Sequence, residues 1–193
     1  VLFRSGAEKL FDLSRIHTID IVISEDGVRH LADRGDTRYR CTLTFDGEVL
    51  KDVGVRQAGG EFHPYQTIAG KPSLSLKFNE FVKGQKLRGL EKLILKNQYQ
   101  DQSLVNEHMT YEVFRRAGLP APMTAYALVT LNGRSAGIYL MREAVGDDFL
   151  GRNFGPKYAG GNLYEVSFTL GDFVRSPRNA ILKDEQKDKR TKA

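Results

Sequence analysis

The hydrophobic pattern of the chain predicts a series of strands and one amphipathic helix. Apolar and polar side chains alternate over Tyr39–Phe45 and over Leu74–Phe78, which predicts strands with one buried face. Apolar and β-branched runs predict further strands over residues 19–23, 49–56, 90–97, 123–131, 135–142 and 162–166. Asp46-Gly47 and Asn132-Gly133 each separate two predicted strands, and both pairs are typical of tight hairpins.

The helix is predicted over Ser103–Ala117, and Gly118 and Pro120 end it. A projection at about 100° per residue separates its side chains into two sides. The apolar arc holds Leu104, Met109, Tyr111, Val113, Phe114 and Ala117, and the polar side holds His108, Glu112, Arg115 and Arg116. We expect the apolar arc to face the sheet and the polar side to face water.

Glu107 falls inside the apolar arc, where an unpaired carboxylate would cost several kcal/mol. Two interpretations stay open. Glu107 is either half-exposed at the helix N-terminus, where the helix dipole favours it, or it pairs with a lysine of the sheet. Lys77 is the best candidate partner because it interrupts an otherwise apolar strand, although it can equally be a surface lysine.

Asp101 and Asn106 have the spacing that the base and the metal-binding residue have in a kinase catalytic loop. No His-Arg pair precedes Asp101, and the two residues stand where the helix opens. We therefore predict that Asp101 or Ser103 caps the helix and that Asn106 points inward.

Composition and charge exclude several classes of protein. The 193 residues are 40% apolar and 27% charged, as in a soluble globular protein, and no apolar run is long enough to cross a membrane. The lone Cys41 rules out an internal disulfide, and the four histidines have no zinc-site spacing. The net charge of +5 is raised by a basic tail, and no basic stripe interleaved with aromatics predicts a nucleic-acid partner.

Both ends of the chain differ from its middle. Residues 1–9 lack an initiator Met and predict an artefactual or disordered leader, and the last residues are a charged run without apolar support. We expect a fragment with one domain over residues 10–145 and the start of another over residues 146–193. The compartment is undecided, with a cell-surface or extracytoplasmic location left open.

Six segments stand in a recognisable order and spacing. They are Val53–Gly60 (VGVRQAGG), Lys71–Phe81 (KPSLSLKFNEF), Leu93–Glu107 (LILKNQYQDQSLVNE), Phe114–Pro122 (FRRAGLPAP), Leu131–Val145 (LNGRSAGIYLMREAV) and Gly160–Glu165 (GGNLYE). Together they resemble the CotH (spore coat protein H) kinase family over residues 10–166.

The resemblance implies an α+β fold, namely a kinase-like N-lobe whose mostly antiparallel sheet carries one long αC-like helix, followed by the start of a truncated C-lobe. It also implies an atypical protein kinase that uses ATP and Mg²⁺ to phosphorylate serines of a partner, such as a surface or coat protein. By matching position, Lys77 resembles the phosphate-contacting lysine that Glu107 orients, and Arg56 resembles the arginine before the Gly-rich turn. Tyr139 and Glu143 match the strand on the adenine side.

Two departures favour an alternative function. Gln57-Ala58-Gly59-Gly60-Glu61 stands where the family has an arginine-rich turn, and no catalytic or metal-binding aspartate is assigned after Val166. This fragment would then be inactive by itself. The alternative is a pseudokinase, a non-catalytic coat or surface scaffold that binds other proteins.

Overall fold

The computed structural model describes residues 6–33, 36–59, 67–166 and 180–182. The predicted leader and basic tail lie mostly outside these residues, as do Gly60 and Glu61 of the Gly-containing loop. The chain forms two compact units, the first ending at Ala144 and the second beginning at Val145.

Seven strands of the first unit form a closed barrel in the order β1-β2-β3-β4-β5-β7-β6. The strands are β1 (His17–Ile23), β2 (Tyr39–Phe45), β3 (Glu48–Gln57), β4 (Leu74–Lys77), β5 (Lys92–Lys96), β6 (Thr124–Leu131) and β7 (Arg134–Glu143). All neighbours are antiparallel except β1 and β6, which run parallel. A 3-10 helix (Gly6–Phe11), helix α1 (Glu25–His30) and helix α2 (Asn106–Arg116) complete this unit.

The second unit holds helix α3 (Asp147–Phe154), a 3-10 turn (Pro156–Tyr158) and a two-stranded sheet. In that sheet β8 (Tyr164–Val166) pairs antiparallel with β9 (Ala180–Leu182). The end of β8 at Val166 agrees with the strand predicted over residues 162–166.

The predicted kinase-like N-lobe with one long helix is wrong, because the sheet closes into a barrel and the longest described helix, α2, spans only 11 residues. Strand β1 is responsible for the closure. Its Ile19 lies opposite Phe45 on β2 and also opposite Val129 on β6, so both edges of β1 are paired. Alternation along a strand predicts which face is buried, but it carries no information on which two edges meet.

The hydrophobic core fills the inside of the barrel. Inward-facing side chains with at most 1% of their surface exposed are Ile19, Ile21, Leu43, Phe45, Val53, Val55, Leu74, Leu76, Leu93, Leu95, Ala127, Val129 and Met141. A barrel of this size is just wide enough for its own side chains. The interior is therefore a packed core, in which His17, Gln57 and Glu143 are buried polar side chains.

The two predicted hairpin turns exist, and each also holds β1. The backbone amide of Asp46 donates to the Thr18 carbonyl at 2.9 Å, and Asp46 Oδ1 accepts from the Thr18 amide at 3.0 Å. Asn132 Oδ1 accepts from the Ile23 amide at 2.7 Å, and Asn132 Nδ2 donates to the Ile23 carbonyl at 3.1 Å. The turns thus fix β1 near both of its ends.

Helix α2 begins three residues later than predicted because Asp101 organises the turn before it. Asp101 Oδ1 accepts from the Ser103 amide at 3.0 Å and Oδ2 accepts from the Asn106 amide at 2.8 Å. Leu104 takes a left-handed conformation with φ of 64°. Asp101 thus accepts from the first amide of α2, as a cap would, although the N-cap residue is Val105, whose side chain makes no capping hydrogen bond. The predicted inward orientation of Asn106 is wrong, since its exposed side chain donates to Asp101 Oδ1 at 3.0 Å.

The predicted orientation of the helix is also wrong. Met109, Val113 and Phe114 are exposed, whereas His108 and Arg115 of the predicted polar side lie toward the barrel. The outer wall of the barrel offers α2 polar groups, since Thr124 contacts His108 and the Pro122 carbonyl accepts from Arg115.

Candidate functional site

The outer surface of strands β3, β4, β5 and β7 carries a set of cations. Across these strands Arg56 lies opposite Ser75, Ser75 opposite Ile94, and Ile94 opposite Arg142, so these residues share the outward face. Lys77 and Lys96 lie an even number of residues away on β4 and β5 and point the same way. We call Arg38, Arg56, Lys77, Lys96 and Arg142 the basic face.

Arg38 precedes β2 and lies across β3 and β4. Its guanidinium donates to the Ser75 carbonyl at 2.8 Å and to Ser75 Oγ at 3.0 Å. Only 8% of its side chain is exposed, and this burial, with the charge of Arg56, lowers its pKa to about 10. Arg38 is therefore a fixed positive charge that lies over β3 and β4.

Lys77 pairs with Glu80 rather than with the helix. Its Nζ lies 2.9 Å from Glu80 Oε2, and the same carboxylate is 3.9 Å from Arg38 Nε. The predicted Lys77–Glu107 pair is therefore wrong. Lys77 stands opposite Lys92, the first residue of β5, whereas α2 lies near the other end of that strand.

Glu107 contacts one side chain from the segment after β5, one from α2 itself and one from β7. Gln98 Nε2 donates to Glu107 Oε2 at 3.0 Å, Tyr111 Oη donates to Oε1 at 3.3 Å, and Arg142 Nη1 lies 3.6 Å from Oε1. Its side chain is 23% exposed, and its ion-pair partner among the described residues is an arginine rather than the predicted lysine.

Lys96 is the sheet lysine whose pKa is affected by the charge of Glu107. Burial lowers the pKa of Lys96, the negative charge of Glu107 opposes this, and the positive charge of Arg142 adds to it. The sequence reasoning missed Lys96 and Arg142. The available signal was the KLILK strand, in which Lys92, Ile94 and Lys96 share one face and Leu93 and Leu95 share the other.

Arg56 lies at one edge of the basic face, beside a pocket of about 240 Å³. The described lining comprises His30, Leu31, Asp33, Thr37, Tyr39, Arg56 and Gln57. Arg56 Nη1 is 3.2 Å from Asp36 Oδ1, but Asp36 is almost fully exposed and such a pair is weak. The guanidinium therefore keeps the capacity to bind an anion where β3 leads into the Gly-containing loop.

Tyr139 and Glu143 lie on the other side of the sheet, inside the barrel. Tyr139 Oη donates to the Pro72 carbonyl at 3.0 Å, and burial raises the pKa of this phenol. Glu143 is 1% exposed, and its Oε2 accepts from the Met123 amide at 3.1 Å. Of the five predicted nucleotide-binding residues, Arg56, Lys77 and Glu107 thus lie on the outside of the barrel but apart from one another, and these two lie inside it.

The described residues do not fit a Mg²⁺ ion, because nowhere among them do three carboxylate, imidazole or thiol side chains come together. The basic face carries cations of the kind that contact phosphate oxygens, and of these Lys77 pairs with Glu80 and Arg142 with Glu107. In the described part of the chain, no helix has the length and apolar character to span a membrane.

Three comparisons relate the chain to known proteins. Residues 59–193 match the family model described as CotH kinase protein. Inner spore coat protein H of Bacillus subtilis (strain 168) is 29% identical over 107 residues, which are 52% of this chain and 29% of that protein. An inner spore coat protein H-like protein of the same organism is 38% identical over 111 residues, which are 52% of this chain and 34% of that protein. The matched part is about a third of the length of these curated relatives.

Proposed function

The chain belongs to the CotH kinase protein family, and from this premise we propose that the whole protein transfers the γ-phosphoryl group of ATP to serine side chains of a partner protein. The inner spore coat proteins among its relatives make a coat or surface protein the first partner to test. Phosphoryl transfer relies on fixed positive charges that position the phosphates and stabilise their charge.

The observation that carries this proposal is the arrangement of Lys96, Glu107 and Arg142. Lys96 has no hydrogen-bond or ion-pair partner among the described residues, so its ammonium keeps its donors free. In the proposed function Lys96 donates to phosphate oxygens, and the negative charge of Glu107 favours the charged form of the ammonium. Arg142 adds a second cation and holds Glu107 in place.

Lys77 is a separate candidate for phosphate contact. It lies opposite Lys92, and Lys96 is four residues further along β5, so the two lysines are about 13 Å apart along the strands. A single phosphate group cannot contact both, and the pairing of Lys77 with Glu80 occupies its ammonium. We therefore assign the primary role to Lys96. The catalytic base and the metal-binding carboxylates would have to come from other residues.

The test uses the full-length gene product, ATP labelled at the γ-phosphate, and both casein and a coat-protein extract as acceptors. We expect Lys96→Met to lower labelling by about 100-fold, the loss typical for one transition-state donor. Lys83→Met is the matched control, since Lys83 is exposed and away from the basic face, and it should change labelling less than about twofold. If Lys96→Met labels the acceptor as well as the wild type does and Lys77→Met is inactive, then Lys77 and not Lys96 is the phosphate-contacting lysine.

A non-catalytic scaffold is the second candidate function. The observation in its favour is that Tyr139 and Glu143, two of the five predicted nucleotide-binding residues, face the barrel interior. Calorimetric titration of the full-length gene product with ATP separates the two functions. A scaffold would show ATP binding no tighter than about 1 mM together with tight binding to a coat protein, whereas a kinase would bind ATP well below that concentration.

A further inference from the structure

The carboxylate of Glu107 is tied to the barrel by a single hydrogen bond. Tyr111 Oη donates to Oε1 at 3.3 Å, but Tyr111 stands one turn further along α2 and moves with the helix. Arg142 Nη1 attracts Oε1 from 3.6 Å, which is longer than a hydrogen bond. Among the described residues, the hydrogen bond that reaches this carboxylate from outside α2 is the one that Gln98 Nε2 donates to Oε2 at 3.0 Å.

Gln98 lies two residues after Lys96, which is the last residue of β5. The backbone on either side of Gln98 is fixed by hydrogen bonds. Asn97 Nδ2 donates to the Lys71 carbonyl at 2.6 Å, and the Gln98 carbonyl accepts from the Asp101 amide at 3.0 Å. The hydrogen bond from Gln98 therefore connects the Glu107 carboxylate to the strand end that carries Lys96.

The backbone conformation at position 98 does not call for a glutamine. Gln98 has φ of 55°, a left-handed conformation that glycine and asparagine adopt more readily. The residue is nevertheless buried, with 8% of its surface exposed. A buried polar side chain on an uncommon backbone conformation requires a specific partner, and the partner of this amide is Glu107.

We propose that Gln98 is a positioning residue of the candidate phosphate site. It fixes the Glu107 carboxylate near Lys96 but out of contact with it, so the negative charge acts on the ammonium while the donors of the ammonium stay free for phosphate oxygens. The lack of a hydrogen-bond or ion-pair partner for Lys96 among the described residues agrees with this arrangement. The inference rests on the proposed function for the role of Lys96, and Gln98 acts through Glu107 alone.

Gln98→Asn is the test variant, because asparagine tolerates the left-handed backbone and keeps the amide. Its side chain is shorter by one methylene, which withdraws the donor by about 1.5 Å and out of reach of Glu107. Gln98→Gly removes the amide and relieves the backbone, so it should behave in the same way. Gln102→Asn is the matched control, since it makes the same chemical change at an exposed position between β5 and α2.

Acylation of Lys96 in the full-length gene product gives a readout that does not need phosphoryl transfer. The neutral amine is the reactive form, and the charge of Glu107 opposes the lowering of the Lys96 pKa by burial. Release of the carboxylate should therefore lower this pKa further. At about pH 8 we expect Gln98→Asn to raise the acylation rate of Lys96, followed by mass spectrometry, at least about twofold, and Gln102→Asn to leave it unchanged.

Equal acylation rates in Gln98→Asn and the wild type would overturn the proposal, whether or not the wild type phosphorylates an acceptor. A wild-type protein that labels no acceptor contradicts the proposed function instead, and the acylation rates then decide on Gln98 by themselves.

Labelling with γ-phosphate distinguishes positioning from a merely structural role. Gln98→Asn should lower kcat by about tenfold, because the charge that acts on Lys96 is displaced. In a Glu107→Ala background the same change should alter labelling less than about twofold, since the carboxylate that Gln98 positions is gone. An undiminished kcat in Gln98→Asn would contradict the proposal, as would a tenfold loss that persists in the Glu107→Ala background.

Discussion

Asn132 offers a direct test of how the barrel is closed. Its side-chain amide accepts from the Ile23 amide and donates to the Ile23 carbonyl, and its backbone has φ of 46°. Asn132→Ala removes both hydrogen bonds and places alanine in a left-handed conformation. Asn132→Gly removes the same hydrogen bonds but tolerates the backbone conformation.

The expected loss follows from these two contributions. Two hydrogen bonds at about 1 kcal/mol each give about 2 kcal/mol for Asn132→Gly. The left-handed backbone adds about 1 kcal/mol for alanine, so Asn132→Ala should destabilise the barrel by about 3 kcal/mol. Asp52→Ala is the control, because Asp52 has φ of 55° and its side chain makes only an exposed pair with Arg40. It should cost about 1 kcal/mol.

Hydrogen exchange of β1 amides, measured by mass spectrometry on the full-length protein, reports this loss as local opening of the strand. Ile23 is left out because its own acceptor is removed. Asn132→Ala should accelerate exchange by about 150-fold, Asn132→Gly by about 30-fold and Asp52→Ala by about fivefold. If Asn132→Ala accelerates β1 exchange no more than Asp52→Ala does, the turn does not hold β1 and this account of closure fails.

Three further predictions concern a tyrosine, a histidine and a cysteine that the fold removes wholly or partly from water. Tyr139→Phe leaves the Pro72 carbonyl without its donor and should lower the free energy of unfolding by about 1–3 kcal/mol, measured by urea titration. Burial and the charge of Arg115 lower the pKa of His108, so the unfolded state binds its proton more readily. Stability should therefore fall as pH drops through about 6.5, and His108→Gln should reduce the difference in unfolding temperature between about pH 7.5 and 5.5. Burial raises the pKa of Cys41 to about 12, so the native thiol should react with a disulfide reagent at about pH 8 more than 100-fold more slowly than in urea.

The local elements could be predicted from the sequence because their signals are local. Alternation over Tyr39–Phe45 predicted a strand with those same bounds, and the Asp-Gly and Asn-Gly pairs marked real hairpins. Closure could not be predicted in this way. It depends on pairing Ile19 of β1 with Val129 of β6, which are far apart in the chain. The sequences of these two strands are equally compatible with an open sheet.

The wrong prediction that Lys77 pairs with Glu107 has a related cause. Lys77 and Lys96 both end short strands and both point outward, so neither composition nor alternation distinguishes them. The antiparallel register of β4 and β5 determines which lysine lies near Glu107. It places Lys77 opposite Lys92 and leaves Lys96 at the end of β5 near Glu107. Register between strands depends on the long loop between β3 and β4 and on the turn after β4, neither of which has a strong sequence signal.

Closure of the barrel also accounts for the two features that sequence reasoning placed on the wrong side. An open sheet would leave one apolar face for a helix to cover, and α2 would then bury Met109 and Val113. A closed barrel buries one face of each strand in its interior. The wall under α2 is the other face, and it presents groups such as Thr124 and Arg142. A helix lying on that wall is held by polar contacts of His108, Arg115 and Glu107, and the contact of Glu107 is with Arg142 of the basic face. The same rotation leaves Met109, Val113 and Phe114 exposed, so the position of Glu107 and the exposure of these side chains are two consequences of one packing arrangement.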